Sequence, residues 1–166
     1  MLNNAFAEAP LEDMPVVMPM MFGMVIVAML FFFRSVLATG ATLLLDGGVG
    51  AGKTHFARAL IQSLLLSPED VPSPTFTLVQ TYDGRSGEIW HADLYRLSSP
   101  DEVVELGLEE AFETAICLIE WPDRLGELAP PDALTLRFVA DGETGRIIHA
   151  IGSEHWAEIL PGENDA

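Results

Sequence analysis

A chain of 166 residues, 49% of them hydrophobic, is long enough to bury the core of one compact domain, and its bulk is too apolar for intrinsic disorder. Its 25 acidic residues against 8 basic ones give a formal net charge of -17, which argues against unaided binding to DNA or RNA, so any link to nucleic acid would run through a partner. A single cysteine, Cys117, excludes an intrachain disulfide and fits a reducing cytosol; its apolar setting, AICLIEW, predicts a small buried thiol.

The first feature in chain order is Pro15 to Phe33, nineteen residues without a charge. As a helix it would be about 28 Å long, near the ~30 Å hydrocarbon thickness of a bilayer. Glu8, Glu12 and Asp13 precede it and Arg34 follows, so a span would leave the rest of the chain in the cytoplasm. It is a poor signal peptide, because no Lys or Arg comes before the apolar run. Pro15, Pro19 and Gly23 disfavour a continuous helix at its start. A buried helix or strand pair, an apolar arm that docks on a partner, or an aberrant N-terminus are the competing expectations, and the membrane span is not favoured. Residues 1–35 are therefore set apart from a domain over 36–158, and 159–166 read as a solvated tail.

From Val36 onward the pattern is α/β. ATLLLD is a short apolar run, the mark of a strand buried on both faces. KTHFARALIQSLLL places Phe56, Leu60 and Leu64 at helical spacing, with Ser67-Pro68 as the stop. FTLVQTY and GEIWHADLY read as strands around the turn DGRSG, and SSPDEVVELGLEEAF as one or two short helices with Ser99 as N-cap. AICLIEW is a further buried strand, PDRLGEL a short helix, and DALTLRFV with GRIIHAIG a C-terminal β-hairpin. Strands alternating with helices predict a mostly parallel sheet flanked by helices.

Between the first strand and its helix, Gly47, Gly48, Val49, Gly50, Ala51, Gly52, Lys53 and Thr54 match G-x-x-x-x-G-K-[ST] without a gap. Glycines let backbone N–H groups turn around phosphates, and the helix N-terminus that continues through His55 adds partial positive charge. Lys53 would neutralise the β/γ oxygens and the Thr54 hydroxyl would ligate Mg²⁺. A glycine-rich turn that merely caps a helix explains the glycines but not the Lys-Thr pair. Lys53 is moreover the only lysine in the chain. Without a second one an Asn-Lys-x-Asp guanine reader cannot exist, which favours ATP over GTP. A P-loop NTPase fold is the expectation.

Such a site needs an acid at a strand end, and Asp93 and Glu120 are both so placed. PSPTFT offers hydroxyls at Ser73, Thr75 and Thr77 in a loop stiffened by two prolines, suited to ordering on a γ-phosphate. His91 and Asp93 share a strand face, but no further Cys/His cluster has zinc-ligand spacing, so zinc is set aside. Trp90 and Trp121 are candidates to pack near the nucleotide or in the core, with the core as the default expectation.

GGVGAGKT, SPTFTLV, HADLYRL, ELGLEEAF and LIEWPDRLGE occur in that order, and over about residues 37–139 the chain resembles the bacterial TsaE (YjeE) family. The resemblance implies a weak, Mg²⁺-dependent cytosolic ATPase acting with the TsaD and TsaB proteins, which place a threonylcarbamoyl group on adenosine 37 of tRNA. It implies that Lys53 and Thr54 bind phosphate and Mg²⁺, that Thr75 senses the γ-phosphate or metal, that Asp93 supports Mg²⁺, and that Glu120 orients the attacking water. Members commonly carry an acidic residue where this chain has Gly48; a cradle built from backbone N–H groups should tolerate that. They usually begin with a strand and a charged amphipathic helix, where this chain has its apolar segment. The alternatives are a small-molecule kinase on the same scaffold, which would want an arginine-rich lid where Arg85, Arg96 and Arg124 stand isolated, or a nucleotide-binding interaction protein tethered to the inner membrane.

Overall fold

The computed structural model describes residues 41–142 and 145–159. The apolar segment at 15–33 and the tail beyond 159 lie outside them. Among the described residues no helix is long and apolar enough to cross a membrane.

Six strands form one sheet: β1 (Ala41–Asp46), β2 (Val79–Gly84), β3 (Gly87–Asp93), β4 (Ile116–Glu120), β5 (Leu134–Asp141) and β6 (Gly145–Ile151). Their spatial order is β2-β3-β4-β1-β5-β6. The middle pairings, β3 with β4, β4 with β1 and β1 with β5, are parallel, and an antiparallel hairpin closes each edge. Helix α1 (Lys53–Leu64) follows β1, while α2 (Pro100–Val104) and α3 (Leu108–Thr114) connect β3 to β4. Each parallel crossover thus carries helical structure, as parallel strands require.

Strand parity divides the core in two. Leu43 and Leu45 of β1, Ile89 of β3 and Leu118 of β4 face α1 and pack on Phe56, Leu60 and Ile61. Leu44, Ala92, Cys117 and Ile119 face the opposite way, onto Val103, Leu108 and Ala111. Central strands buried on both sides explain why β1 and β4 read as unbroken apolar runs rather than alternating ones.

Some boundaries differ from the sequence expectation. Helix α1 ends at Leu64, because Leu65 turns extended and bridges to Gly84 while the N–H of Arg85 bonds the Leu64 carbonyl. The strand expected from Phe76 starts only at Val79: Leu78 adopts φ 66° and donates its N–H to the Pro74 carbonyl at 2.7 Å. Helix α4 (Glu154–Ile159) had no sequence expectation. Its Trp156 is buried against the α1-side core and donates its indole N–H to the Asp132 carbonyl at 2.6 Å. PDRLGEL forms two successive 3₁₀ turns, Pro122–Arg124 and Gly126–Leu128, instead of one helix.

Cys117 lies fully buried, as expected, and burial pushes its thiol up to about 12. The thiolate is the reactive species, so iodoacetamide at pH 8 should leave Cys117 unmodified in the native protein and label it fully in denaturant, as read by intact-mass spectrometry.

Candidate nucleotide site

Because β1, β3 and β4 run parallel, their C-terminal ends open on the same side of the sheet, where Asp93 and Glu120 are register partners and Leu45 stands opposite Glu120. The loop from Gly47 to Gly52 leaves β1 there and feeds directly into α1. Together they line a cleft of about 400 Å³ that includes residues 49–55, Thr75, Asp93, Tyr95, Glu120 and Trp121. Val49 to His55, Thr75, Asp93 and Glu120 are all brought to this cleft; Ser73 and Thr77 do not line it, and Gly47 and Gly48 stand beside it, with their carbonyls bonded by Lys53.

The loop's first two glycines are not equivalent. A Cβ on Gly47, whose φ is +144°, would stand 2.7 Å from the Phe138 carbonyl oxygen, whereas a Cβ on Gly48 would meet nothing within 4 Å. A side chain at the second position would therefore have room. No acidic residue occupies the first turn of α1, which leaves its partial positive charge to whatever anion the loop holds.

Lys53 curls back along the loop. Its Nζ donates to the carbonyls of Gly47 (2.5 Å) and Gly48 (2.9 Å) and lies 4.0 Å from the centroid of the Trp121 ring. Desolvation by burial lowers its pKa, and attraction to Glu120, Asp93, Asp46 and Asp123 opposes that shift.

Two hydrogen-bond chains meet at the strand ends. Thr54 Oγ1 donates to Glu120 Oε2 at 2.8 Å, and His91 Nε2 faces Glu120 Oε1 at 3.0 Å. Thr75 Oγ1 donates to Asp93 Oδ2 at 2.6 Å and contacts Ser73 Oγ at 2.8 Å, while the Tyr95 N–H donates to Asp93 Oδ1 at 3.0 Å. Thr77 turns inward on its own loop, toward the Pro74 carbonyl. Thr54 and Glu120, from β4 next to β1, thus form the oxygen pair nearest the loop; Asp93, one strand further out, fastens the Thr75 loop.

Trp121 meets both of its expected readings: it packs against the second core cluster and lines the cleft, at φ 61°, a backbone region that bulky residues rarely occupy. Tyr95, which was missed, stacks beside it with ring centroids 4.9 Å apart. Both lie within two residues of a strand-end acid (Tyr95 two after Asp93, Trp121 one after Glu120), and that proximity was the available signal.

A parallel sheet with flanking helices and a glycine-rich loop running into a helix at its strand ends defines the P-loop NTPase fold. The model of the family described as "Threonylcarbamoyl adenosine biosynthesis protein TsaE" matches residues 26–148, so the match begins inside the apolar segment. The chain belongs to the TsaE family. It is 40% identical to the tRNA threonylcarbamoyladenosine biosynthesis protein TsaE of Rickettsia felis over 118 residues, 71% of this chain and 69% of that one. The Bacillus subtilis protein of the same name is 34% identical over 70% of this chain and 73% of its own. A crystal structure of Bacillus subtilis YdiB superposes with a TM-score of 0.57 at 26% identity, covering 73% of this chain and 74% of that one.

Two outcomes are expected from this geometry. Gly47→Ala should lose nucleotide binding through the clash with Phe138, while Gly48→Ala keeps it, measured by calorimetric titration with an ATP analogue. A buried ammonium with a lowered pKa costs stability at every pH below that folded-state value, and the cost recedes as pH rises through it toward the ordinary lysine value. Lys53→Met should therefore melt at or above the wild-type temperature in nucleotide-free buffer at pH 7, yet gain nothing from ATP in a thermal scan.

Proposed function

We propose that this chain is a Mg²⁺-dependent ATPase subunit of low intrinsic turnover that acts on the TsaD–TsaB pair during formation of threonylcarbamoyladenosine at position 37 of tRNA. The observation that carries the proposal is the convergence of Lys53, Thr54 and Glu120 on one cleft, at the N-terminus of a helix whose own first turn has no acidic residue. The residues suit the ligands. Thr54, Asp93 and Glu120 offer the oxygen donors that Mg²⁺ prefers, and the cleft volume falls within the range of small-molecule sites, about 300–1,000 Å³. Mg²⁺–ATP, when bound, supplies a γ-phosphoryl group whose transfer to water depends on positioning and charge neutralisation.

Loop N–H groups and the α1 N-terminus would hold the phosphates, and Lys53, now on the Gly47 and Gly48 carbonyls, would offer its charge to phosphate oxygens. The Thr54 hydroxyl has one proton and two lone pairs. With its proton given to Glu120, a lone pair would be left for Mg²⁺. Asp93 would support the metal, and Glu120, which lines the cleft, would orient the attacking water. Thr75 would release Asp93 on sensing the γ-phosphate or metal and so report occupancy through the 72–78 loop.

Among the described residues, Arg85, Arg96 and Arg124 do not line the cleft, which supports hydrolysis over kinase chemistry with a lid. A cytoplasmic place of action follows from the tRNA pathway, and tRNA is reached only indirectly, through the protein partners.

The full-length chain should bind immobilised TsaD–TsaB better with Mg²⁺ and a non-hydrolysable ATP analogue than without nucleotide. No effect of nucleotide on that association would overturn the partner assignment. Glu120→Gln should bind ATP normally and hydrolyse it about 10²- to 10³-fold more slowly in a phosphate-release assay; unchanged turnover removes Glu120 from the water position.

A further inference from the structure

His91 does not line the cleft, yet it is the most deeply buried polar side chain among the described residues, with 0% of its surface exposed. It sits on the α1 face of β3, two residues after Ile89 and in register with Leu118 of β4. A leucine there would continue the apolar face. The imidazole instead brings two nitrogens out of water, and only one finds a partner: Nε2 meets Glu120 Oε1 at 3.0 Å, while Nδ1 is buried with no hydrogen bond. An orphaned buried polar atom costs about as much as one hydrogen bond to a charged group contributes. Stability of the fold therefore gives no reason for a histidine at this position.

Glu120 gives one. A carboxylate only accepts hydrogen bonds, so this contact places a proton on Nε2. Thr54 holds Oε2 and His91 holds Oε1, one bond to each oxygen, in a side chain that is itself 2% exposed. With only Thr54 attached, the carboxylate would pivot about that bond and leave Oε1 buried without a donor. We infer that His91 is a positioning residue: through Nε2–H it fixes the plane of the Glu120 carboxylate relative to Thr54 and the water position, so it sets turnover and not nucleotide affinity. This rests on the ATPase reading above.

The test uses the full-length protein with two substitutions. His91→Leu removes the donor and keeps the apolar packing; His91→Gln places an amide N–H close to where Nε2 stood. His91→Leu should lower kcat about 10- to 100-fold while the Kd for Mg²⁺ and a non-hydrolysable ATP analogue stays within about threefold, and His91→Gln should recover most of the loss. The inference is overturned if His91→Leu turns over within about twofold of wild type, if His91→Gln is as slow as His91→Leu, or if affinity falls in step with kcat. A second readout needs no ATP. Long-range ¹H–¹⁵N spectra of the nucleotide-free protein should show His91 as the Nε2–H tautomer with a slowly exchanging proton that is lost in Glu120→Ala. An Nδ1–H tautomer or a freely exchanging proton overturns the inference. A wild-type protein that shows the expected tautomer but hydrolyses no ATP counts against the ATPase reading and leaves the His91–Glu120 contact supported.

Discussion

Burying the Lys53 side chain at the end of a sheet built from leucine and isoleucine disfavours its charge, because desolvation outweighs the attractions around it. Two loop carbonyls and the face of Trp121 take the place of its hydration shell, and four carboxylates attract it, yet desolvation remains the largest influence on its charge. The arrangement is understandable if the ammonium is reserved for a partner that brings more negative charge than the carbonyls do. Much of the fold serves that end. Parallel pairing of β1, β3 and β4 is what puts Asp93, Glu120 and the glycine loop at one edge, and the antiparallel hairpins are kept to the outside of the sheet, where they do not disturb this convergence.

The acids at that edge are not interchangeable, although each ends a strand and they are register partners. Glu120 is joined to the loop helix through Thr54, and Asp93 to the 72–78 loop through Thr75. That loop is also tied to β3 by the backbone bond from Asp93 N–H to the Leu78 carbonyl at 2.9 Å. Release of the Thr75 hydroxyl would free the middle of the loop while Leu78 stays fixed. Neighbouring Phe76 is 85% exposed, so it is this aromatic surface that the loop would displace. On the proposed function, the acid nearer the helix is suited to chemistry and the outer one to signalling.

Much of the fold was legible in the sequence because its signals are local. Apolar runs of four to six residues marked β1 and β4, helical spacing of Phe56, Leu60 and Leu64 marked α1, and the Gly-Lys-Thr sequence marked the loop. What escaped depends on contacts distant in sequence. Leu64 ends α1 because the β2–β3 turn captures the following residues, and the six-residue α4 exists because Trp156 finds the Asp132 carbonyl. The cleft follows the same rule. Thr54, Asp93 and Glu120 could be proposed from motif and strand end, whereas the pairing of His91 with Glu120 across 29 positions is a product of β3–β4 register. A sequence pattern could place the two residues on strands but not decide which neighbours they become.

A net charge of -17 would seem to oppose a polyphosphate ligand, and distance resolves the conflict. Exposed carboxylates more than a Debye length away, about 8 Å at physiological salt, are largely screened, while the loop N–H groups, the helix terminus and Lys53 act at contact in a partly desolvated cleft. Local geometry therefore governs the ligand, and the acidic remainder governs the surroundings. For tRNA, whose charge lies along an extended backbone, a net charge of -17 supplies repulsion. On the proposed function, a protein so charged would hold a nucleotide at one point and reach nucleic acid through other proteins.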